Sequence, residues 1–381
     1  GSADSGQVYR HAETVSNGQI IVHRYGVAHR EDFVERVGAA FADRHAQIDF
    51  DVLEGPDCGA EAAAAIRHVP AMPLVVKLHT PQYLLNELGK VPLSWPAKTR
   101  MALGALRRGQ RPKRLSVYCP ETDPEWQHAH SADRVAAPSM AIGQRIITDW
   151  KISPERVVPV PYPYIPSSAL LSIPVETQTH RVTFIGRLEV RKGILDLAQA
   201  IPRVLRRYPE TQFRFVGPAW PSPISGLDMQ QYLEQRLARH RNVLTFTGGV
   251  ALTEIPNYLA DTDICVFPSI WESFGLVCTE AMAAARGIVG SAAGGMAELL
   301  DGGHCGHLVA PRRPRQIAAA IINLLNHPEQ RMELGKRARE RVRSHYSLDA
   351  IAQRQEETYR QAIEHRRKQG SRREQTLPTA T

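Results

Sequence analysis

The chain has 381 residues, and its 47 Lys and Arg against 39 Asp and Glu give a formal net charge of +8. Hydrophobic residues make up 43% of it and charged residues 23%, which excludes fibrous, collagen-like and wholly disordered proteins. The length predicts about two domains with separate cores. No apolar run approaches the roughly 20 residues that span a bilayer, and no signal-peptide pattern is found near the start.

The cysteine pattern indicates the cellular compartment, and the net charge indicates which classes of partner are possible. The five cysteines are an odd number, with no C-x-x-C spacing among them. This pattern is typical of a reducing compartment, so we expect a cytoplasmic protein. The excess of positive charge fits nucleic acid, an acidic membrane surface or acidic small substrates such as nucleotide phosphates. The position of the charges along the chain has to decide among these partners.

The first part of the chain contains short β-branched runs that predict strands. The candidate strands are Gln19–Tyr25, Phe50–Glu54, Leu74–His79, Arg134–Pro138 and Val157–Val160. Prolines are then frequent up to residue 166, and a new pattern starts after them. We therefore predict an amino-terminal domain over residues 3–165, followed by a linker region near residues 161–180.

From residue 181 onward, strand-like runs alternate with amphipathic segments, as in βαβ units on a parallel sheet. The strand candidates are Val182–Gly186, Phe213–Gly217, Val243–Gly248, Ile264–Pro268 and Ile288–Ser291. The helix candidates are Ile194–Tyr208, Met229–His240, Leu252–Ala260, Leu276–Ala285, Arg315–His327, Pro328–His345 and Leu348–Lys368. The pattern predicts a Rossmann-like nucleotide-binding domain over residues 166–365 and a basic, disordered tail over residues 366–381.

Glycines and cations follow the early strands of this second domain. Arg187 follows the first strand and Lys192 opens the next helix, where free N–H groups, the helix dipole and the cations would attract phosphate. A solvated turn with both side chains in water is equally compatible with this spacing. Gly217 and Gly249 follow the next two strands, where a backbone can approach a ligand closely, although glycine is also common in ordinary turns.

The end of the fourth strand carries two glutamates around a helix start. Gly275 and the free amides of Leu276 and Val277 would form a second phosphate-facing helix N-terminus. Glu280 would reach a ribose, because a carboxylate accepts hydrogen bonds from paired hydroxyls, and Glu272 would lie deeper in the cleft. The alternative for Glu280 is a carboxylate that merely favours the helix dipole. The convergence of four such strand ends favours a nucleotide diphosphate site.

These motifs, taken together and in order, resemble retaining glycosyltransferase family 4, the group 1 glycosyltransferases. The resemblance rests on Phe184-Ile185-Gly186-Arg187-Leu188, Lys192-Gly193, Phe215-Val216-Gly217, Phe246-Thr247-Gly248, Pro268-Ser269, Glu272-Ser273-Phe274-Gly275-Leu276, Glu280-Ala281-Met282, and Gly294-Gly295 with Glu298. It covers about residues 130–350. It implies an α/β protein of the glycosyltransferase-B type, in which two facing Rossmann-like domains enclose a central cleft and the carboxyl terminus is helical.

The resemblance also implies roles for the donor-side residues. Arg187 and Lys192, with the helix start at residues 275–277, would hold the donor diphosphate, and Glu280 would hold the ribose. The base would lie near the backbone at Gly217 and Gly249. The donor would be a UDP- or GDP-sugar, and no cofactor is implied.

On the sugar side, the resemblance implies two catalytic residues. Glu272 would contact the transferred sugar, and His79, in a run similar to the family's strand-end histidine, would face the same sugar. Transfer would proceed with retention of anomeric configuration. The absence of an Asp-x-Asp after a cleft-forming strand, and of a His/Cys cluster at ligand spacing, predicts that no metal is essential.

The amino-terminal part departs from the family pattern. Family members usually open with a strand, a Gly-Gly loop and a helix. Here the first strand candidate is Gln19–Tyr25, followed by Val27–Arg44 and then by the strand Asp49-Phe50-Asp51-Val52, which looks like the family's middle. The opening unit is therefore expected to be missing. The leading hypothesis is a transferase that builds a cell-surface polysaccharide or glycoconjugate; the alternative is a non-catalytic paralogue that binds a nucleotide sugar.

A basic, partly apolar stretch between Lys90 and Arg114 suggests which kind of acceptor the protein binds. It would lie on an anionic membrane surface or bind a lipid-linked acceptor, or it is a solvated helix face. We therefore expect a saccharide or lipid-linked acceptor and a protein that is cytoplasmic or peripheral to the inner face of the membrane. Nucleic acid is disfavoured, because no aromatic-interleaved or groove-reading motif accompanies the charge.

Overall fold

The computed structural model describes residues 8–15, 18–25, 30–89 and 118–376. The described strands are β1 Val8–Val15, β2 Gly18–Tyr25, β3 Leu53–Pro56, β4 Leu74–Lys77, β5 Arg134–Ala137, β6 Val157–Pro159, β7 Arg181–Ile185, β8 Gln212–Val216, β9 Leu244–Gly248, β10 Ile264–Phe267, β11 Gly287–Ser291 and β12 His307–Val309. The described α-helices are Arg30–Ile48, Ala63–His68, Gln82–Leu88, Pro124–Ser131, Met140–Trp150, Ser168–Leu171, Ile194–Leu205, Met229–Arg236, Ile255–Ala260, Leu276–Ala283, Met296–Leu299, Pro314–Asn326, Pro328–His345 and Leu348–Thr376.

Four parallel strands form the amino-terminal sheet, in the order β3-β4-β5-β6. Their side chains are largely apolar on both faces, as in a sheet covered by helices on both sides; Val75, Val76, Val135 and Ala136 are fully buried. All four strands occur at positions predicted from the sequence, with ends shifted by up to three residues.

The predicted strand at Gln19–Tyr25 exists but lies elsewhere. It is β2, and it pairs antiparallel with β1 in a separate two-stranded sheet instead of joining the parallel sheet. The sequence prediction missed β1 because its run, VYRHAETV, is mostly polar. The dipeptide Asn17-Gly18 is a sequence signal for a hairpin that the prediction did not use, and Gly18 begins β2.

Six parallel strands form the carboxyl-terminal sheet, in the order β12-β11-β10-β7-β8-β9. Its buried strands β10 and β11 are short apolar runs, and the five strands predicted from residue 181 onward are confirmed. The chain first adds β8 and β9 on one side of β7 and then returns to add β10 on the other side. This reversal opens a crevice outside the carboxyl ends of β7 and β10, where ligands bind in such sheets.

The last helix, Leu348–Thr376, leaves the second sheet and packs on the first. Ile351 and Ala362 on this helix share a buried cluster with Val75, Ala136 and Val160. The domain boundary predicted at residue 366 therefore falls inside a helix, and the basic segment after it continues that helix to Thr376. Apolar residues spaced along the helix hold it on the amino-terminal sheet, so the two halves are joined at two places along the chain.

Asp133 anchors the last helix, and we expect Asp133→Asn to lower the free energy of unfolding by about 1–3 kcal/mol. Its buried carboxylate accepts hydrogen bonds from the Leu74 amide at 2.9 Å, from His365 Nδ1 at 2.8 Å and from Arg366 Nη2 at 2.7 Å. An amide cannot satisfy all of these donors. Urea denaturation measures the change. Glu364→Gln on the exposed side of the helix is the control, and equal stability of both variants would contradict the assignment.

Candidate functional site

A cavity of about 250 Å³ lies between the two sheets, at the crevice where the strand order reverses. Its lining includes six residues that the sequence singled out, from both halves of the chain: His79, Lys192, Glu272, Gly275, Leu276 and Val277. Tyr162, from the segment that connects the two sheets, also lines it. The structure thus brings the predicted sugar-side residues together with one predicted phosphate-binding helix start.

His79 follows β4, and its imidazole is held by a buried aspartate. The pairing of β3 with β4 puts Pro56 opposite Lys77, so Asp57 lies beside the residues that follow β4. The Asp57 carboxylate accepts the backbone N–H of His79 at 3.0 Å and lies 3.1 Å from its Nδ1. With the proton on Nδ1, the ring is fixed by this bond. Sequence analysis did not identify Asp57 as a partner of His79.

Asp57 also sets the charge of His79. The hydrogen bond from the ring to Asp57 raises the pKa of His79 above its usual value; burial opposes this, and the negative charge of Asp57 adds to it. We expect Asp57→Asn to lower the pKa of His79, as measured by following its ring protons by NMR across pH 5–9. Glu54→Gln, on the preceding strand, is the control. An unchanged His79 titration in Asp57→Asn would refute the assignment.

Lys192 and Glu272 form an ion pair inside the cavity. Glu272 Oε1 accepts hydrogen bonds from Lys192 Nζ and, at 3.0 Å, from Ser269 Oγ, while Arg191 Nη1 lies 4.0 Å from the other carboxylate oxygen. The turn carrying Lys192 packs on the end of β10 through Gly193, which has φ of 71°. A Cβ at Gly193 would lie 1.8 Å from a backbone oxygen of that strand end, so only glycine permits this approach.

Glu272 is buried and ionised. Burial alone would raise its pKa, but the charges of Lys192 and Arg191, together with hydrogen bonds from Lys192 and Ser269, hold the pKa below its usual value. A buried carboxylate paired with a partly exposed lysine makes a strongly charged site at the centre of the cavity. Any anionic ligand that enters would compete with Glu272 for Lys192.

The Gly294-Gly295 pair fixes the loop that carries Glu272. The Gly295 amide donates to the Glu272 carbonyl oxygen at 2.7 Å, and Gly294 forms an isolated parallel bridge with Glu272. Gly294 has φ of 71°, and a Cβ there would lie 2.0 Å from the Glu272 oxygen. This pair is one of the motifs on which the family resemblance rests, and the structure shows that its backbone supports the Glu272 loop.

Glu280 lies one turn into the helix that starts at the cavity. It does not line the cavity, and its carboxyl group is half-buried. Burial raises the pKa of Glu280 to about 7, so the carboxylate is only partly ionised at neutral pH. Hydrogen-bond donors that reach the Glu280 carboxyl group would stabilise its ionised form.

The other predicted donor-side residues lie along the same edge of the sheet, outside the cavity lining. The Arg187 guanidinium stacks 4.6 Å from the centre of the Trp220 ring and lies 3.2 Å from Glu189. Gly217, with φ of 139°, follows β8, and Gly249 follows β9. The carboxyl ends of β7, β8 and β9 therefore form one surface beside the cavity. Arg187 lies on this surface and does not line the cavity.

Contacts between the two halves surround the cavity, and sequence analysis missed them. Thr80 Oγ1 lies 2.7 Å from Ser273 Oγ, and Ser139 Oγ donates to the Ser273 carbonyl oxygen at 2.6 Å. Ser139 precedes a helix in the same way as many helix-capping serines, so its role between domains had no separate sequence signal. These bonds place the loop of Glu272 against the amino-terminal half.

Other sequence predictions can be placed only in part. Within the ranges given above, no group of three or more His, Cys, Asp and Glu side chains is arranged to hold a metal ion. No helix in the described part of the chain is long and apolar enough to cross a membrane. The basic stretch from Lys90 to Arg114 lies outside the described residues.

Comparison with known sequences gives a consistent family match. Residues 179–327 match the family described as Glycosyl transferases group 1. A glycogen synthase of Mycobacterium tuberculosis is 33% identical over 171 residues, which are 44% of this chain and 39% of that protein. A D-inositol 3-phosphate glycosyltransferase of Kineococcus radiotolerans is 29% identical over 343 residues, 81% of this chain and 75% of that protein. The chain thus spans only about two-fifths of the glycogen synthase.

Solved structures share the fold at low sequence identity. A sucrose-phosphate synthase from Thermosynechococcus elongatus matches with a TM-score of 0.63 and 21% identity, over 94% of this chain and 86% of that one. The Anabaena protein HepE, in complex with UDP and glucose, matches with a TM-score of 0.60 and 21% identity, over 85% and 80%. These matches confirm the two-domain α/β fold of the glycosyltransferase-B type.

Proposed function

The chain belongs to the group 1 glycosyltransferase family, and from that premise we propose that it transfers a sugar from a UDP- or GDP-linked donor to a saccharide or lipid-linked acceptor. We further propose that transfer retains the anomeric configuration, needs no metal, and serves cell-surface polysaccharide or glycoconjugate synthesis. The observation that carries the proposal is the cavity in which His79, Lys192 and Glu272 meet the helix start at Gly275. The HepE structure with UDP and glucose supports a nucleotide-sugar donor for this fold.

Donor binding would rearrange the ion pair in the cavity. A diphosphate near the amides of Leu276 and Val277 would attract the Lys192 ammonium, because a doubly charged group competes well with one carboxylate. Glu272 would then be free to accept hydrogen bonds from the sugar hydroxyls. Arg187 would join the diphosphate only after leaving Trp220, against which it now stacks.

The chemical step separates charge. Cleavage of the bond between sugar and phosphate builds positive charge on the sugar ring and negative charge on the departing diphosphate. Lys192 and the helix start would stabilise the leaving group, which is the role that metal ions have in other sites. Glu272 and His79 would orient the sugar, and the departing phosphate would accept the proton of the attacking acceptor hydroxyl.

Glu280 gives the donor site a specific pH dependence. Below its pKa of about 7 the carboxyl group is protonated and accepts hydrogen bonds poorly; above it the carboxylate is ready for two ribose hydroxyls. We expect UDP-glucose affinity to rise up to about tenfold from pH 6 to pH 8. Calorimetry checks this, and Glu280→Gln should remove most of the change. Equal pH dependence in both proteins would mean that Glu280 does not touch the ribose.

The test of function is a calorimetric titration with UDP, GDP, ADP and their common sugar conjugates, in buffer with EDTA. Each conjugate that binds is then assayed for slow hydrolysis by the wild type and by Glu272→Ala. Binding of one conjugate with Glu272-dependent hydrolysis would support the proposal and identify the donor. Binding without turnover would favour a non-catalytic nucleotide-sugar-binding paralogue, and turnover that returns only with added Mg²⁺ or Mn²⁺ would refute metal independence.

A further inference from the structure

Glu298 connects the two halves of the chain next to the candidate site. It lies on the short helix Met296–Leu299 of the second half, directly after the Gly294-Gly295 pair. Its two carboxylate oxygens accept the backbone amides of Met140 at 2.8 Å and Ala141 at 2.7 Å, which begin a helix of the amino-terminal half. These amides have no acceptor within their own helix, and the helix dipole favours a negative charge there.

The same helix start also contacts the loop of Glu272. Ser139, the residue before Met140, donates from Oγ to the carbonyl oxygen of Ser273 at 2.6 Å. On the other side of that loop, the Gly295 amide donates to the carbonyl oxygen of Glu272 at 2.7 Å. The hydrogen bonds of Glu298, Ser139 and Gly295 therefore involve neighbouring residues on each side, and together they link the start of the amino-terminal helix to the backbone at Glu272 and Ser273.

We propose that Glu298 is a positioning residue that clamps the amino-terminal half over the Glu272 loop. Its side chain does not line the cavity, so it acts through the helix start and the loop backbone. The effect on turnover rests on the proposed transferase function, whereas the effect on domain arrangement does not. Loss of the carboxylate would leave two helix amides without their acceptor at the interface and favour a more open arrangement.

The local fold around Glu298 should survive substitution of its side chain. Arg341 Nη2 donates to the backbone oxygen of Glu298 at 2.9 Å, and Arg341 Nε donates to that of Leu299 at 3.0 Å. These bonds hold the helix that carries Glu298 without using its carboxylate. A change at this position thus tests the contact between halves with little effect on the second half alone.

The test compares Glu298→Ala and Glu298→Gln with Glu254→Ala. Glu254 is a matched control, since its carboxylate also accepts a backbone amide near a helix start, that of Ala251 at 2.9 Å, but within one half. Small-angle scattering measures the radius of gyration with and without UDP. Calorimetry measures UDP affinity, and steady-state hydrolysis of a bound conjugate separates kcat from KM.

We expect Glu298→Ala to enlarge the radius of gyration without UDP and to lower kcat by about tenfold to a hundredfold, with UDP affinity changed less than twofold. Glu298→Gln, which keeps one acceptor oxygen, should give a smaller effect, and Glu254→Ala neither. An unchanged radius of gyration in both Glu298 variants would overturn the clamp, as would equal losses of UDP affinity and turnover. If the wild type binds no nucleotide, the proposed function fails, while the scattering comparison still decides the clamp.

Discussion

Glu272→Gln is expected to lower kcat for donor cleavage by at least about a hundredfold while leaving UDP affinity within about threefold. The carboxylate contacts Lys192, Arg191 and Ser269, and in the donor complex it would face the sugar, where positive charge develops. An amide of the same size keeps the shape of the site but removes the negative charge. UDP lacks the sugar and gains no contact from this side chain; because Glu272 competes with the diphosphate for Lys192, the small change in UDP affinity should be a gain.

The comparison needs a carboxylate that lies away from the cavity. Glu333 pairs with Arg337 on an exposed helix surface at 3.0 Å, so Glu333→Gln should leave both kcat and UDP affinity unchanged. Single-turnover kinetics with a bound UDP-sugar measure the chemical step directly. Wild-type rates in Glu272→Gln would remove Glu272 from the mechanism.

Lys192→Met is expected to weaken UDP binding at least about tenfold and to lower kcat/KM by a hundredfold to a thousandfold, roughly the effect of removing a preorganised charge from an active site. Methionine keeps much of the length of the side chain but cannot pair with a phosphate. It also removes the charge that holds the pKa of Glu272 low, so the buried carboxylate should take up a proton more readily.

Two measurements distinguish a phosphate-binding role from a structural one. Lys336→Met, at an exposed position of the same half, should leave UDP affinity and kcat/KM unchanged. Thermal unfolding shows whether Lys192→Met still folds without its ion pair. A folded Lys192→Met protein with wild-type UDP affinity would show that the diphosphate binds elsewhere.

The sequence predicted the part of the site that lies in runs of neighbouring residues. Lys192, Glu272 and the helix start at Gly275 each follow a buried apolar strand, and parallel strands bring such ends to one edge of a sheet. His79, at the end of a strand in the other half, was predicted from the resemblance to the family's strand-end histidine. These residues meet in one cavity because the carboxyl ends of strands from the two parallel sheets face each other across it.

The rest depended on contacts between distant segments. Asp57 contacts His79 because β3 pairs with β4, and Glu298 contacts Met140 across the two halves. Local sequence patterns do not indicate either contact. The motif also did not predict where the Arg187 side chain lies. Its guanidinium stacks on the aromatic ring of Trp220, which follows β8, instead of pointing into the cavity. Motifs give the backbone position of such residues, and tertiary contacts decide where their side chains point.

The most direct test of the central claim is a crystal structure with a bound UDP-sugar. The account predicts that the diphosphate lies at the amides of Leu276 and Val277, that Lys192 Nζ has moved from Glu272 to a phosphate oxygen, and that the sugar lies between Glu272 and His79. A nucleotide bound outside this cavity, with the Lys192–Glu272 ion pair intact, would contradict it.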